Sequence, residues 1–242
     1  MKTLCAILAF AGLLLATESH AWANGKRPVV IELYTSQGCS SCPPADALLA
    51  RLADRKDVLA LSLPITYWDM LGWKDTLASE ANTRRQKAYA EAMGHGGVYT
   101  PQMIVDGVND LVGSREAAIE AAIDARAADL RDVPVSLSAL PHELRVAVGP
   151  GGERGEVATI WIFEILGKAT VAIHGGENDG RSMTYRNVVR EVKAVGIWKG
   201  QQVSLDLPRQ DLMSEPHDKV AVIVQEGGGY GRVIGAAFLD SP

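Results

Sequence analysis

The sequence is poor in cysteine, with three cysteines in 242 residues. Cys39 and Cys42 stand as a C-x-x-C pair, and Cys5 is the other one. No two histidines stand at metal-ligand spacing, so a zinc ion bound by the C-x-x-C pair would lack its remaining ligands. The chain therefore does not depend on a framework of disulfides for folding. A zinc site is a weak alternative role for the C-x-x-C pair.

Clusters of basic residues and long apolar runs are also missing. The formal net charge is -5, and it survives loss of the first 23 residues because Lys2 and Glu18 cancel. Without a basic stripe, nucleic acid is not an expected partner. The apolar run over residues 4–16 is shorter than the roughly 20 residues that a membrane-spanning helix needs. No later uncharged run approaches that length, so no stable membrane span is expected.

The N-terminus has the pattern of a secretory signal peptide. Residues 1–23 contain one early lysine, an apolar core and, at Ala21-Trp22-Ala23, the small residues typical of a signal-peptidase cleavage site. Cleavage after Ala23 or Ala21 predicts a periplasmic or secreted protein. Removal of Cys5 would leave only Cys39 and Cys42, an even pair in an oxidising compartment.

The C-x-x-C pair lies between a predicted strand and a predicted helix. The apolar run 29–34 precedes it, and residues 35–46 read as a tight loop that enters a helix. Unpaired N–H groups and the positive end of the helix dipole favour a thiolate at Cys39, and Cys42 is within reach to resolve a mixed disulfide. We therefore expect Cys39 to be the exposed nucleophile and Cys42 the shielded resolving thiol.

Two other roles for the pair stay open. One is a static, structural disulfide. The other is a Cu(I) site, because thiolates are soft ligands for a soft ion, with Met70, Met103 and His95 as candidate additional ligands.

The first half alternates predicted strands and helices. Apolar positions at i, i+3, i+4 and i+7 predict a helix after Cys42, and a buried strand follows at 58–64. A second helix is predicted over 77–93, with Ala81, Ala88, Ala92 and Met93 facing the sheet. Residues 102–112 read as a hairpin turned at Asp106-Gly107, and Ser114 is expected to cap a last helix.

The second half reads as β structure alone. Strands are predicted over 135–140, 144–148, 157–166, 170–173, 188–195, 203–207, 220–225 and 233–239. Their number and glycine-rich turns predict an antiparallel sandwich. The glycines at 227–229 and the cluster 178–181 are interpreted as turns rather than ligand sites.

Aromatic residues are concentrated in residues 67–73, which include Tyr67, Trp68 and Trp73. We expect this segment to lie beside the dithiol as the wall of a groove for a client protein. The alternative is that the aromatic rings pack under the second helix or against the second half of the chain.

The order of elements resembles the thioredoxin superfamily over about 100 residues. In thioredoxin-like proteins the proline that opens the first hairpin strand is cis and sits against the dithiol. The resemblance therefore implies a cis Thr100-Pro101 bond and adds Thr100 and Pro101 to Cys39 and Cys42 as site residues. Glu32 is one residue further from the first cysteine than the buried Asp of thioredoxins.

Two sequence segments make the resemblance more specific. They are Glu-Leu-Tyr-Thr-Ser-Gln-Gly-Cys-Ser-Ser-Cys-Pro-Pro-Ala-Asp at 32–46 and Tyr-Trp-Asp with Gly-Trp-Lys-Asp at 67–75. They are similar to the secreted "domain of unknown function 1223" family. The resemblance implies an α/β thioredoxin-like N-terminal domain over 24–132, followed by an all-β sandwich-like C-terminal domain over 133–242. The predicted function is thiol-disulfide exchange with a protein or small-thiol disulfide client, without cofactor or metal.

Overall fold

The structure, a computed structural model, describes residues 26–128, 132–152, 156–212 and 216–240. The predicted signal peptide, residues 1–23, lies outside these ranges. Among the residues that are described, no helix is both long enough and apolar enough to cross a membrane.

Eleven strands form within these ranges, and several are buried along almost their whole length because they are covered on both faces. They are β1 (Val29–Thr35), β2 (Val58–Pro64), β3 (Gln102–Val105), β4 (Asn109–Val112), β5 (Val135–Ala139), β6 (Glu143–Val148), β7 (Ala158–Ala172), β8 (Ser182–Trp198), β9 (Val203–Pro208), β10 (Lys219–Gln225) and β11 (Val233–Asp240). The strand predictions are confirmed, except that the two predicted over 157–166 and 170–173 are one continuous strand, β7.

Three helices accompany the strands in the same ranges: α1 (Pro43–Leu52), α2 (Glu80–Ala92) and α3 (Glu116–Ala127). The start of α2 is fixed by Ser79, whose hydroxyl accepts a hydrogen bond from the N–H of Asn82. α3 begins after Arg115 without a side-chain cap, so the prediction that Ser114 caps it is wrong.

The face of α2 that packs on the sheet is polar. Of the residues predicted to face inward, Met93 packs against the core, whereas Ala81 and Ala88 are only half-buried and Ala92 is exposed. The helix buries Asn82, Arg85, Gln86 and Tyr89. Each finds a hydrogen-bond partner on a neighbouring element, which makes burial of these polar groups possible.

The strands form two sheets, and the larger one crosses both halves of the chain. Its order is β11-β10-β7-β8-β2-β1-β3-β4, and β5-β6-β9 form a separate sheet. Within the large sheet, β2 is parallel to both β1 and β8, and the other neighbours are antiparallel.

This topology overturns the predicted fold class. An α/β thioredoxin-like N-terminal domain followed by an all-β sandwich-like domain is wrong, because one mixed eight-stranded sheet with three helices contains strands from both halves. The halves join where Ser62 of β2 pairs with Val188 of β8. The predicted domain limits, 24–132 and 133–242, stay a prediction.

The two faces of β1 show how the layers are arranged. Ile31 and Leu33 pack with α1 and α3, whereas Val30 and Tyr34 pack with α2 and with strands of the second half. Since side chains alternate across a strand, Glu32 lies on the α2 face and points away from α1.

The hairpin formed by β7 and β8 extends beyond the sheet and follows α1. β8 leaves β2 at Asn187, where φ is 48° and the side-chain amide donates to the carbonyl of Ala60. Next, Arg186 pairs with Asp54 just beyond the C-terminus of α1. The tip of the hairpin, residues 173–181, then lies at the N-terminus of α1, where the C-x-x-C pair is located.

Candidate functional site

The C-x-x-C pair lies where β1 passes into α1, as the sequence predicts. Cys42 is the N-cap of α1, and prolines fill its first two positions, where a missing N–H leaves no helical hydrogen bond unmade. Cys39 and Cys42 form a disulfide with a Cα–Cα distance of 5.4 Å. The N–H of Cys42 donates to the carbonyl of Cys39 at 3.2 Å, so the turn between them is tight.

Both cysteines are fully buried, each with 0% of its surface exposed. In the disulfide form the expectation that Cys39 is the exposed sulfur is therefore wrong. The residues between the cysteines, Ser40 and Ser41, are exposed. A partner thiol can approach this turn but cannot reach the sulfur of Cys39 in this conformation.

The tip of the β7–β8 hairpin, residues 173–181, covers the loop that holds Cys39, and we call it the cap. The side-chain amide of Asn178 donates to the carbonyl of Gln37 at 2.9 Å and to that of Cys39 at 2.8 Å. The carboxylate of Glu177 accepts from the N–H of Ser40 at 2.9 Å. The cluster 178–181 is a turn as predicted, but it also contacts the C-x-x-C loop.

Trp73 forms a second boundary of the site. Its indole N–H donates to Oε1 of Gln37 at 2.8 Å, and its ring makes an edge-on contact with His174 of the cap. Gly176 approaches Trp73 so closely that an added Cβ would lie 3.2 Å from Cβ of Trp73. The small residues of the cap therefore let its backbone lie directly against the site.

Trp68 forms the side of the site nearest Thr100. Its indole N–H donates to Oγ1 of Thr100 at 2.8 Å, and its backbone and Cβ lie against Gly38. The Thr100–Pro101 bond is cis, as the resemblance implies. Cβ of Pro101 lies beside Gly113, which also contacts Ala45 of α1.

Two apolar residues after Trp68 are exposed to solvent. Met70 is 83% exposed and Leu71 is 46% exposed, and both lie in a short 3-10 turn, Asp69–Leu71. Trp68 and Tyr67 are half-buried and pack against the core. The segment thus combines anchored rings with an exposed apolar edge, and its predicted role as a groove wall stays a prediction.

A buried carboxyl group lies one helical turn beyond Cys42. Asp46 is at i+4 from Cys42 on α1, so the two side chains share a face of the helix. Neither carboxyl oxygen has a hydrogen-bond partner among the described residues. Burial raises the pKa of Asp46 to about 7; the nearby Thr35 hydroxyl opposes this rise, and the charge of Asp75 adds to it.

Asp75 is a second buried carboxylate, and it organises the loop in front of the disulfide. It accepts hydrogen bonds from the backbone N–H groups of Gln37, Leu77 and Ala78 at 2.8, 2.8 and 3.1 Å. Burial raises the pKa of Asp75, and these hydrogen bonds act in the opposite direction. The fixed loop in turn presents Gln37 to Trp73 and to Asn178.

Glu32 has no part in the site. Its carboxylate accepts from the guanidinium of Arg85 at 2.6 and 2.9 Å and from the hydroxyl of Tyr89 at 2.6 Å. These partners lie on the face of the sheet opposite α1. An acid near the first cysteine in sequence is therefore separated from it by the sheet.

The candidate copper ligands lie in three different environments. Met103 is fully buried in β3, Met70 is almost fully exposed, and Nδ1 of His95 lies 2.9 Å from a carboxylate oxygen of Asp110. Across the residues that the structure describes, no three His, Cys, Asp or Glu side chains form a group that could hold a metal ion.

Sequence reasoning missed Asp46 and the cap. A signal for Asp46 was present, since an acid interrupts the apolar helical face of Ala45, Leu48 and Leu49. No comparable signal exists for Glu177 and Asn178, which lie more than a hundred residues from Cys39 in an ordinary turn sequence.

Comparison with known proteins gives a family and a fold. The chain is similar to protein AGR_C_4864 from Agrobacterium tumefaciens, a crystal structure with 34% identity and a TM-score of 0.79 that covers 90% of this chain and 96% of that one. It also shares a fold with HBP35 of Porphyromonas gingivalis, with 13% identity and a TM-score of 0.60 over 89% of this chain and 75% of that one. No curated protein matches. Because the model of the DUF1223 proteins, described as proteins of unknown function, matches residues 30–225, the chain belongs to that family.

Proposed function

We propose that the protein is a thiol-disulfide oxidoreductase that acts through the Cys39–Cys42 couple. The observation that carries the proposal is the position of the disulfide at the N-cap of α1. Once the disulfide is reduced, the helix dipole and the unpaired N–H groups of the first turn favour a thiolate at the N-terminus of α1. The proposed site residues are Cys39, Cys42, Thr100 and Pro101.

The proposed exchange is balanced within the couple and its client. A client thiolate attacks the sulfur of Cys39, the Cys39–Cys42 bond breaks, and Cys42 leaves as a thiolate that takes up a proton. A second client thiol then attacks the mixed disulfide and releases Cys39. The client loses two electrons and becomes a disulfide, and the protein gains two electrons and two protons. The reverse sequence reduces a client disulfide.

We place this chemistry in the periplasm or outside the cell. The support is the signal-peptide pattern of residues 1–23, together with an even pair of cysteines in the remainder. The client is a protein or a small thiol.

A static disulfide is the second candidate, and the complete burial of both cysteines favours it. The reduction potential separates the two. Equilibration of the protein without residues 1–23 in dithiothreitol and glutathione buffers should give a potential between about -270 and -120 mV for an exchanging couple. A potential below about -300 mV would identify a structural disulfide instead.

Trapping of a mixed disulfide tests the assigned roles. Cys42→Ser should accumulate an adduct with oxidised glutathione at Cys39, because no resolving thiol remains. Cys39→Ser should not accumulate one at Cys42 at a comparable rate. Equal, slow adduct formation in both variants would contradict the assignment.

A further inference from the structure

We propose that the cap, residues 173–181, is a gate held shut over the disulfide by Asn178 and Glu177, and that exchange requires the cap to leave. The inference deepens the proposed function, since it states when the couple can react. It makes Asn178 and Glu177 positioning residues, which act through Cys39 and not on a client directly.

Asn178 closes the cap with one side chain. It is completely buried, and its amide nitrogen bridges the carbonyls of Gln37 and Cys39 at 2.9 and 2.8 Å. Its amide oxygen, in contrast, is buried without a partner among the described residues. Opening the cap would return that oxygen to water, which offsets part of the loss of the two hydrogen bonds.

Ile173, at the base of the cap, is completely buried and pairs with Gly180 and Arg181 through backbone hydrogen bonds. Beyond this base, the cap has little apolar surface to hold it closed. His174, Glu177, Asp179 and Gly180 are exposed. Gly175 and Gly176 contact Trp73 through backbone alone, so the closed state is held mainly by polar contacts. Opening therefore costs far less than unfolding of the sheet, and the tip can move while β7 and β8 stay paired.

Glu177 adds an electrostatic component to the gate. Its carboxylate accepts a hydrogen bond from the N–H of Ser40, the residue directly after Cys39. The side chain and the backbone of Ser40 both lower the pKa of Glu177. A negative charge beside Cys39 disfavours a thiolate there. The other titratable groups in the segments around the pair are Asp46 on α1, Asp69, Lys74 and Asp75 ahead of α2, and His174, Asp179 and Arg181 on the cap. The closed cap thus covers the loop that holds Cys39 and also opposes ionisation of the Cys39 thiol.

The contacts of the cap indicate what can replace it. Its departure frees two acceptors, the carbonyls of Gln37 and Cys39, and one donor, the N–H of Ser40. An extended polypeptide offers backbone donors and acceptors in such close succession. We therefore assign the open site to a polypeptide client, with a small thiol as the competing outcome.

The test is the rate at which dithiothreitol reduces the disulfide of the full folded protein, followed by alkylation and mass measurement. Asn178→Ala should speed reduction about tenfold, which is the effect expected for the loss of two neutral hydrogen bonds. The matched control is Thr170→Val, which removes an exposed cross-strand hydrogen bond to Thr184 in the same hairpin. The control should react at the wild-type rate.

Urea separates local opening from general loss of stability. If only the cap opens, little surface is exposed and the reduction rate should hardly change between 0 and about 1 M urea. A rate that rises steeply with urea in Asn178→Ala would mean that reduction follows global unfolding, and it would overturn the gate. A wild-type rate in the folded variant would overturn it as well.

Glu177 supplies a variant that keeps the fold, since its side chain is exposed. Glu177→Ala should speed reduction several-fold. Glu177→Gln, which keeps an acceptor for Ser40 but loses the charge, should instead lower the pKa of the Cys39 thiol, read from the pH dependence of alkylation in the reduced protein. An unchanged alkylation profile would remove the electrostatic component.

These measurements do not depend on a client. If the reduction potential lies below about -300 mV and the cap variants are still reduced faster than the wild type, the gate is supported and the oxidoreductase proposal is rejected. If the potential lies in the range expected for an exchanging couple and the cap variants are not reduced faster, the oxidoreductase proposal is supported and the gate is rejected. Faster reduction by small thiols, but no faster mixed-disulfide formation with a reduced unfolded polypeptide, would reject the polypeptide client.

Discussion

Asp46 shows how one buried side chain can make the stability of the protein depend on pH. Its carboxyl has no partner in the described structure, and burial raises its pKa from 3.8 to about 7. The folded protein therefore binds a proton more tightly at Asp46 than the unfolded chain does. Stability contributed by the neutral carboxyl is complete below about pH 4 and is lost as the pH rises towards 7.

Asp46→Asn should therefore become more stable than the wild type as the pH rises. The two should match near pH 4, and the variant should exceed the wild type by about 4 kcal/mol near pH 8, from the two pKa values. Urea unfolding at pH 4, 6 and 8 measures the difference. Asp124→Asn, at an exposed position on α3, serves as the control and should show no such trend. A difference that is constant across this range would contradict the raised pKa.

The same residue marks a limit of sequence reasoning. The C-x-x-C pair, its strand and its helix follow from local pattern, because strand and helix periodicity are properties of neighbouring residues. Whether Asp46 is buried depends on Thr35, Asp75 and the hairpin that covers α1. Those contacts are set by segments far apart in the chain, so no local pattern contains them.

At the scale of elements, the segment with Tyr67, Trp68 and Trp73 contains two kinds of residue with opposite predicted effects. Trp68 is half-buried, packs on the core and donates to Thr100. Met70, two residues later, is 83% exposed. Packing and client contact are therefore assigned to different side chains of one short segment.

Trp68→Ala should lower the free energy of unfolding by about 2 kcal/mol or more, since it removes a large packed ring. Met70→Ser should change it by less than about 0.5 kcal/mol, as surface substitutions do. If the segment is a groove wall, Met70→Ser should still slow mixed-disulfide formation with a reduced unfolded polypeptide. Urea unfolding and trapping of the Cys42→Ser background measure the two effects. An unchanged trapping rate would leave the segment with a packing role alone.

The inward face of helix α2 could not be predicted from the sequence. Apolar periodicity favours the face with Ala88 and Ala92, but the buried face carries Arg85 and Gln86 instead. Arg85 is buried because Glu32 neutralises it and four aromatic rings surround its guanidinium. Two of those rings belong to β7, and one lies between β10 and β11, beyond the reach of a local pattern.

For the whole molecule, Arg85 links elements of both halves. Its guanidinium binds Glu32 of β1 and donates to Oε1 of Gln225 in β10 at 2.9 Å. The side-chain amide of Gln225 closes the network by donating to the hydroxyl of Tyr89 at 2.6 Å. The network fixes how β1, α2 and β10 sit together.

Arg85→Met should destabilise the protein by about 3–5 kcal/mol, because it leaves the buried carboxylate of Glu32 without its cation. Arg84→Met, one residue earlier on the exposed face of α2, is the matched control and should stay within about 0.5 kcal/mol of the wild type. A double variant that also replaces Glu32 by Met should recover much of the loss. Urea unfolding of the three variants measures this, and equal effects of the two arginine substitutions would refute the role of the network.

The fold class was mispredicted at this same scale. The sequence pattern predicts the order of strands and helices within each half, but it does not reveal which strand occupies the free edge of β2. In the molecule β8 occupies it, through the pairing of Ser62 with Val188. The edge pairing of strands more than a hundred residues apart is a property of the whole chain, so the single sheet could not be derived from either half.

The position of the cap in the chain sets an order of events during synthesis. Cys39 and Cys42 leave the ribosome about 130 residues before the cap does. At about 5–20 residues per second, that delay lasts on the order of ten seconds. During this interval β1 and α1 can form while no cap exists to cover the sulfurs. The nascent chain therefore presents accessible thiols before the finished protein withdraws them.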